Sequence, residues 1–153
     1  MEMLEVDLAV IGAGPAGQKG AIQGAKAGKK VVLIDRMGML GGACLHQGTI
    51  PSKALRLAIL DTTGFHLRAY FGDDKHHEKI SMKDLQDRLN RVISDQNQEL
   101  QQQCKGNDVG VIYGSARFAD EHLIEVLDTN GEVIKQVVSN YTLIATGSSP
   151  RHP

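Results

Sequence analysis

A glycine-rich turn placed directly after a short apolar run constrains the fold of this chain more than any other feature. Val6–Ile11 has the composition of a strand buried on both faces, and it leads straight into Gly12-Ala13-Gly14-Pro15-Ala16-Gly17. The next segment, Pro15–Ala27, predicts a helix that ends at Gly28. Lys30–Asp35 is a second apolar run, so the order strand, turn, helix, strand predicts a right-handed βαβ unit.

The spacing of the three turn glycines matches the fingerprint of dinucleotide-binding sites. Gly12 would permit the tight turn, Gly14 would let a diphosphate approach the backbone, and Gly17 would let the helix pack on the strand. The amino terminus of the helix would offer free N–H groups to the phosphates. Asp35, at the end of the second strand, would accept hydrogen bonds from ribose hydroxyls. The alternative is a glycine turn that binds nothing, and the correct flanks on both sides favour nucleotide binding.

The middle of the chain predicts an irregular loop and two helices. Residues 36–50 contain four glycines and indicate a loop without regular structure, and Pro51–Leu60 indicates a helix. Residues 64–79 form a polar surface excursion. Ser81 followed by Asp84 predicts the capped start of a long amphipathic helix. Its apolar positions recur at helical spacing and are Met82, Leu85, Leu89, Val92, Ile93, Leu100 and Cys104.

The last third of the chain predicts short strands. Val109–Tyr113 indicates one strand, and alternating segments follow around Phe118 and beyond. Thr129-Asn130-Gly131 separates two such segments and predicts a β-hairpin. Tyr141–Ala145 predicts another buried strand, which ends in a turn. The fold class is therefore α/β, with a parallel sheet and an added antiparallel meander.

Composition excludes several classes of protein. The chain has 153 residues, about the length of one domain, and its net charge of −1 gives no general attraction to nucleic acid or to an anionic membrane. The longest apolar runs are far too short to span a bilayer. The first residues carry acids where a secretory signal would carry basic residues, and Cys44 and Cys104 fit neither a zinc spacing nor a disulfide framework. A cytoplasmic setting is expected.

A second motif carries a resemblance to a known family. Gly41-Gly42-Ala43-Cys44-Leu45-His46-Gln47-Gly48-Thr49-Ile50-Pro51-Ser52-Lys53 resembles the signature GGxCxNxGCxPSK of the FAD-dependent pyridine nucleotide-disulfide oxidoreductases. Thr142–Pro150 is similar to the strand and ATG turn of that family, and Gly114-Ser115-Ala116 resembles its stretch at the adenine end. The ordered motifs cover nearly the whole chain. The resemblance implies a Rossmann-like FAD-binding domain.

Two departures from the signature change the chemistry that the resemblance implies. Thr49 stands at the position of the second redox cysteine, and His46 stands at the asparagine position. Because a hydroxyl cannot form a disulfide, Cys44 has no local partner, and Cys104 is expected to be a buried core thiol. The sequence GTIPSKALR is most similar to the soluble pyridine nucleotide transhydrogenase branch, in which the flavin alone passes hydride between NADPH and NAD⁺. Asp35 replaces the usual glutamate, which would weaken the ribose contact.

The resemblance also implies a set of site residues. Cys44 and Lys53 are the candidate catalytic residues, and Lys53 would stabilise negative charge on the reduced flavin, with an exposed surface lysine as the alternative. Both also belong to the expected cofactor-binding set, whose other members are Gly12, Gly14, Pro15, Ala16, Gly17, Asp35, Arg36, Gly41, Gly42, Ala43, Ser115, Ala116, Ala145, Thr146 and Gly147. No metal site is expected, because His76 and His77 lie in a polar loop without ligand spacing.

The resemblance implies that residues 1–153 are the amino-terminal part of an FAD/NAD(P)-binding domain, incomplete at the carboxy terminus. The nicotinamide-binding and dimerisation domains would be absent, so NAD(P) would bind through a domain not present here and the full-length enzyme would be a homodimer. The isolated chain is expected to hold FAD weakly or not at all and not to turn over. Two alternatives stay open: an enzyme like dihydrolipoamide dehydrogenase or mercuric reductase, and a non-catalytic dinucleotide-binding module.

Overall fold

The computed structural model describes residues 3–62 and 81–149. In chain order the elements are β1 (Met3–Ile11), α1 (Pro15–Lys26), β2 (Val31–Asp35), α2 (Gly42–His46), α3 (Thr49–Thr62), α4 (Met82–Gly106), β3 (Gly110–Tyr113), β4 (Ser115–Asp120), β5 (Leu123–Leu127) and β6 (Val133–Ile144).

The six strands form one sheet in the order β3-β2-β1-β6-β5-β4. β1 lies at its centre and is parallel to both β2 and β6, while β2 is also parallel to β3. The pairs β4–β5 and β5–β6 are antiparallel, and the β5–β6 hairpin turns at the predicted Asn130-Gly131 site. The expected parallel sheet with an added antiparallel meander is confirmed.

Residues 8–11 of β1 and residues 31–34 of the neighbouring β2 are apolar because both faces of this strand pair are covered. On one face Val10 and Leu33 pack with Ala21 of α1 and with Cys104 of α4. On the other face Ala9, Val32 and Ile34 pack with side chains of β5 and β6, among them Val126 and Val137. The core therefore lies on both sides of β1 and β2 and holds their carboxyl ends in fixed positions.

The loop predicted over residues 36–50 contains a helix, so that prediction was wrong in part. Gly41 and Gly42 adopt positive φ angles of 110° and 57°, which lets the chain reverse and enter α2. α3 begins at Thr49, two residues before the predicted start at Pro51, and extends to Thr62. The glycines that indicated irregular structure instead form the start of a short helix.

The prediction of a separate buried strand at Tyr141–Ala145 was also wrong. β6 is continuous from Val133 to Ile144, and in its second half Tyr141 is 75% and Ile144 63% exposed. β5 pairs with β6 only as far as Val138, whereas β1 follows β6 to its end. The second half is therefore flanked by one strand among those described, and its apolar side chains reach solvent.

α4 begins as predicted and is covered less than predicted. The Ser81 hydroxyl accepts from the Asp84 backbone N–H, and the Asp84 carboxylate accepts from the Ser81 N–H, which completes a capping box. Cys104 is buried, but Met82, in the first turn of α4, is 75% exposed. The predicted surface excursion with His76 and His77 lies outside the described residues. None of the described helices is both long and apolar enough to cross a membrane.

Candidate cofactor site

A cavity of about 610 Å³ opens where β1, β2 and β6 end. This is the edge at which open α/β sheets bind ligands, and the volume falls within the usual range for small-molecule sites. Segments from five parts of the chain line it, namely residues 11–15, 34–37, 42–44 with 46–47, 114–116 and 145–149.

The turn after β1 has the geometry that its glycines predicted. Gly12 has a φ of +105°, and a Cβ there would collide with the carbonyl oxygen of Ala145. A Cβ at Gly17 would collide with the carbonyl oxygen of Gly12, so α1 packs directly on the turn. Glycine is therefore required at both positions, one for the turn and one for the close packing of the helix.

The backbone of Ala13, in the middle of this turn, is held from three directions. Its N–H donates to Oδ2 of Asp35 at 2.7 Å. Its carbonyl oxygen accepts from Nε2 of Gln18 at 2.8 Å and from the N–H of Gly41 at 2.9 Å. Ala13, Asp35 and Gln18 are all buried, so these bonds are protected from water. The turn is therefore fixed by side chains of β2 and α1 and by the loop before α2.

The amino terminus of α1 is open towards the cavity. Gly14 is its N-cap residue, and no side chain caps the helix. A Cβ added at Gly14 would have no heavy atom within 4 Å, which leaves room for a ligand against the backbone. An uncapped helix start offers N–H groups and partial positive charge to an anion. This part of the cavity fits a diphosphate.

Asp35 has a role in the structure beyond the predicted ribose contact. It is buried at the end of β2, where Oδ1 accepts from the N–H of Met37 at 2.8 Å and Oδ2 accepts from that of Ala13. A carboxylate has about four acceptor positions, so both oxygens retain capacity for a ribose hydroxyl. The Asp35 side chain therefore links the end of β2 to the turn after β1, residues 12–17, which is called the phosphate turn below. Asp35 also lines the cavity.

α2 brings the second motif next to the first. Gly42 lies so close to Gly14 that a Cβ on Gly42 would come within 2.8 Å of the Gly14 Cα atom. Cys44 is half-buried and lines the cavity, and His46 lines it two residues further on. Nε2 of His46 is 2.8 Å from the carbonyl oxygen of Leu40. Because a carbonyl can only accept, this nitrogen carries a proton.

Most of the predicted site residues line the cavity, and four do not. Gly12, Gly14, Asp35, Gly42 and Cys44 are among those that do, together with Pro15, Arg36, Ala43, Ser115, Ala116, Ala145, Thr146 and Gly147. Ala16, Gly17, Gly41 and Lys53 are not lining residues. Gly17 and Gly41 instead contact the phosphate turn: Gly17 packs against the carbonyl oxygen of Gly12, and the Gly41 N–H donates to the carbonyl oxygen of Ala13. Lys53 is exposed on α3, so its flavin role stays a prediction.

Sequence reasoning missed several residues of the site. Gln18 is buried and bonds the phosphate turn, and its only sequence signal is a polar residue one position after the last fingerprint glycine. His46 was noted as a departure from the signature but not as a cavity residue. The other lining residues outside the named site set are Ile11, Ala13, Ile34, Met37, Gln47, Gly114, Ser148 and Ser149, of which Gly114, Ser148 and Ser149 lie in motifs that carried the resemblance.

The two cysteines occupy different environments, and neither is in a disulfide. Cys104 lies in the core beneath the turn, where burial raises the pKa of its thiol. Cys44 lies at the cavity. Within residues 3–62 and 81–149 no group of histidine, cysteine or acidic side chains could hold a metal ion.

Comparison with known proteins decides the family. The pattern of the pyridine nucleotide-disulphide oxidoreductases matches residues 6–153. The chain belongs to this family. The family uses flavin and NAD(P) nucleotides.

Named relatives within the family are similar along the whole chain. A soluble pyridine nucleotide transhydrogenase of Mycobacterium tuberculosis (strain ATCC 25177 / H37Ra) is 42% identical over 152 residues, which is 99% of this chain and 32% of that protein. A protein of the same name from Pseudomonas fluorescens (strain Pf0-1) is 39% identical over 153 residues, 100% of this chain and 33% of its own length. The chain therefore spans about a third of the length of these relatives.

Proposed function

We propose that this chain forms the FAD-binding part of a flavoprotein oxidoreductase that transfers hydride between NADPH and NAD⁺. The observation that carries the proposal is the single cavity in which the open turn at Gly14 and the thiol-bearing helix α2 meet. Relatives that share this segment are named soluble pyridine nucleotide transhydrogenases, which supports the same reaction for the whole protein.

The residues that would hold FAD follow from their places around the cavity. The uncapped start of α1 and the backbone at Gly14 would bind the diphosphate. Asp35 would orient the ribose through the free acceptor positions of its carboxylate. Ser115 and Ala116 would contact the adenine end, and α2 would lie at the flavin end. The flavin, when bound, supplies the centre that accepts and donates hydride.

A hydride relay without a thiol step fits the residues at α2. Thr49 occupies the position of the second redox cysteine and is exposed at the start of α3, so Cys44 has no cysteine beside it in the motif. The half-buried Cys44 at the cavity is nevertheless the observation that favours the rival function, an enzyme like dihydrolipoamide dehydrogenase or mercuric reductase. The two functions differ in whether Cys44 is needed for turnover.

The nucleotide-binding part of the proposal can be tested with Gly14→Val. Gly14 has an ordinary φ of −70°, and its missing side chain points into open space, so valine should leave the fold intact and occupy the diphosphate position. NMR titration of the chain with FAD should shift the resonances of Gly12, Asp35 and Cys44, even where binding is weak. Gly14→Val should weaken this binding at least about tenfold, a loss typical of a blocked contact.

Gly106→Ala is the matched control, because Gly106 ends α4 away from the cavity and its Cβ would also meet no neighbour. It should bind FAD like the parent chain. Equal affinity of Gly14→Val and the parent for FAD would contradict the proposal. Shifts with ADP or NAD⁺ but not with FAD would favour a non-catalytic nucleotide module.

The reaction itself requires a whole protein, and a chimera supplies one. Residues 6–145 of this chain can replace the matching segment of the Pseudomonas fluorescens relative. The chimera should exchange hydride between NADPH and NAD⁺, and Cys44→Ser should leave that rate within about twofold. Lipoamide turnover that is abolished by Cys44→Ser would instead establish the dehydrogenase function. For the full-length enzyme we expect a homodimer, on the basis of the family resemblance, and a cytoplasmic setting, on the basis of the cysteine spacing and the acidic amino terminus.

A further inference from the structure

One peptide group connects helix α4 to both sides of the cavity. The carbonyl oxygen of Leu40, a fully buried residue, accepts from Nδ2 of Asn97 at 3.0 Å and from Nε2 of His46 at 2.8 Å. The N–H of the same peptide, on Gly41, donates to the carbonyl oxygen of Ala13 at 2.9 Å. The Leu40–Gly41 peptide therefore contacts the phosphate turn on one side and a cavity-lining histidine on the other.

Asn97 is itself held in the orientation that this contact needs. Its Oδ1 accepts from Nε2 of Gln101, one turn later on α4, at 2.9 Å, which leaves Nδ2 directed at Leu40. Gln101, Asn97, the Leu40–Gly41 peptide and Ala13 thus form a chain of hydrogen bonds that all run in the same direction. The Gln101–Asn97 bond is exposed and the Asn97–Leu40 bond is part-buried, so the chain runs from the surface of α4 to the buried turn after β1.

We propose that Asn97 is a positioning residue of the cofactor site, although it does not line the cavity. It fixes the Leu40–Gly41 peptide, and through that peptide it sets the position of Ala13 in the phosphate turn and the tautomer of His46. The inference rests on the proposed function only for its consequence, the binding of FAD. The positioning itself is a property of this chain with or without a nucleotide.

The geometry explains how a contact 57 residues away in sequence reaches the site. The chain reverses at Gly41 and Gly42, where both φ angles are positive, so the backbone there is bent sharply before α2 begins. With its carbonyl held from two sides, the peptide before this reversal cannot rotate without breaking bonds to Asn97, His46 and Ala13 at once. Cys44 lies two residues beyond Gly42, so a rotation of the Leu40–Gly41 peptide would also move Cys44.

The tautomer of His46 follows from the same peptide. The Leu40 carbonyl keeps the proton on Nε2, so the neutral ring has Nδ1 as its acceptor. When the peptide is free to rotate, this preference is lost and both neutral tautomers become populated. The ring nitrogens of His46 therefore report whether Asn97 holds the peptide.

The test uses Asn97→Ala and Asn97→Asp in the 153-residue chain, with Gln102→Ala as the control. Gln102 is an exposed residue of the same helix, so Gln102→Ala also replaces an amide side chain of α4 by alanine. Two readouts need no nucleotide: the ¹⁵N chemical shifts of the His46 ring and the rate at which a maleimide labels Cys44. FAD titration by NMR is the third.

Asn97→Ala should move the His46 ring shifts towards a mixture of tautomers and speed the labelling of Cys44 about fivefold, the effect of losing one part-buried hydrogen bond. Asn97→Asp should have at least the same effect, because a carboxylate cannot donate to the Leu40 carbonyl. Gln102→Ala should change neither readout. Both variants should also weaken FAD binding by a similar factor.

The proposal would be overturned if both variants kept the His46 shifts and the Cys44 labelling rate of the parent chain under native conditions. A lower unfolding midpoint alone, with both readouts unchanged, would mean that Asn97 only stabilises the fold and would equally refute it. If the two readouts change as expected while FAD binds to no variant and not to the parent, the positioning role stands and the proposed cofactor fails.

Discussion

The turn after β1 and the segment after β6 touch each other at the cavity, yet the chain holds them very differently. In the turn, the backbone of Ala13 is bonded to Asp35, Gln18 and Gly41 and is buried. In the other segment, the N–H of Ala145 donates to Ile11 at 2.8 Å, and Thr146–Ser149 are exposed. One wall of the cavity is therefore fixed before any ligand binds.

The difference shows where the site is preorganised. A fixed turn keeps its N–H groups oriented for a diphosphate, so little ordering is required when the ligand binds. The segment after β6 follows the exposed half of that strand, whose side chains Tyr141 and Ile144 reach solvent. Substitutions in the first wall should therefore cost far more stability than substitutions in the second.

The largest effect is expected from Asp35→Ala. The substitution removes the acceptor for the N–H groups of Ala13 and Met37, and it leaves the first of them buried without a partner. Two hydrogen bonds to a charged group contribute about 3 kcal/mol or more together. Urea unfolding should show a loss of this size. Asp87→Ala, which removes an exposed carboxylate on α4, should change the free energy of unfolding by less than about 0.5 kcal/mol.

A loss for Asp35→Ala no greater than that for Asp87→Ala would mean that the turn is held without the carboxylate. Asp35→Asn separates charge from shape, because the amide keeps one acceptor oxygen and places an NH₂ group against a backbone N–H. Its cost should lie between those of the two alanine variants.

Gly12→Ala should have the next largest effect. The residue has a φ of +105°, and the new methyl group would collide with the carbonyl oxygen of Ala145. Left-handed backbone strain and the contact together should lower the free energy of unfolding by about 2 kcal/mol. Because the new methyl group would push the turn after β1 away from the segment after β6, the shape of the cavity should change as well. An unfolding curve like that of the parent chain would show that the two walls are not in contact.

Gly147→Ala makes the corresponding change in the less constrained wall and should cost less. Gly147 also has a positive φ, +71°, but its Cβ would have no heavy atom within 4 Å. Only the backbone strain applies, about 1 kcal/mol. The difference in cost between Gly12→Ala and Gly147→Ala, measured in the same urea series, reports the contact between the walls. Equal costs would show that the two walls are equally constrained.

The sequence predicted the parts of the fold that depend on local patterns. The turn at Gly12–Gly17, the capping box at Ser81 and the hairpin at Asn130-Gly131 each have a short-range cause and are confirmed. The exposure of Tyr141 could not be predicted, because an apolar run has the same composition whether one or two strands flank it. The helix α2 was missed because its glycines suggested a tightly turned loop rather than the start of a helix.

The same limit applies to the cavity. Residues inside a motif, such as Asp35 and Cys44, were found because their spacing is specific. Asn97 was not found, because its partner Leu40 is distant in sequence and an asparagine within an amide-rich helix carries no signal of its own. Lys53 shows the opposite case, in which a motif residue is placed on an exposed helix face rather than at the cavity.

The smallest effect concerns alkaline pH and the core beneath the fixed wall. Cys104 packs in the same apolar cluster as Ala13 and Leu40, and burial raises the pKa of its thiol above the ordinary value of 9.0. The folded chain therefore keeps this proton at pH values where the unfolded chain has released it. The contribution is complete below pH 9.0 and is lost as the pH rises through the folded value. Cys104→Ala should flatten the decline in unfolding free energy above pH 9.0, and a slope identical to that of the parent chain would show that Cys104 is not its source.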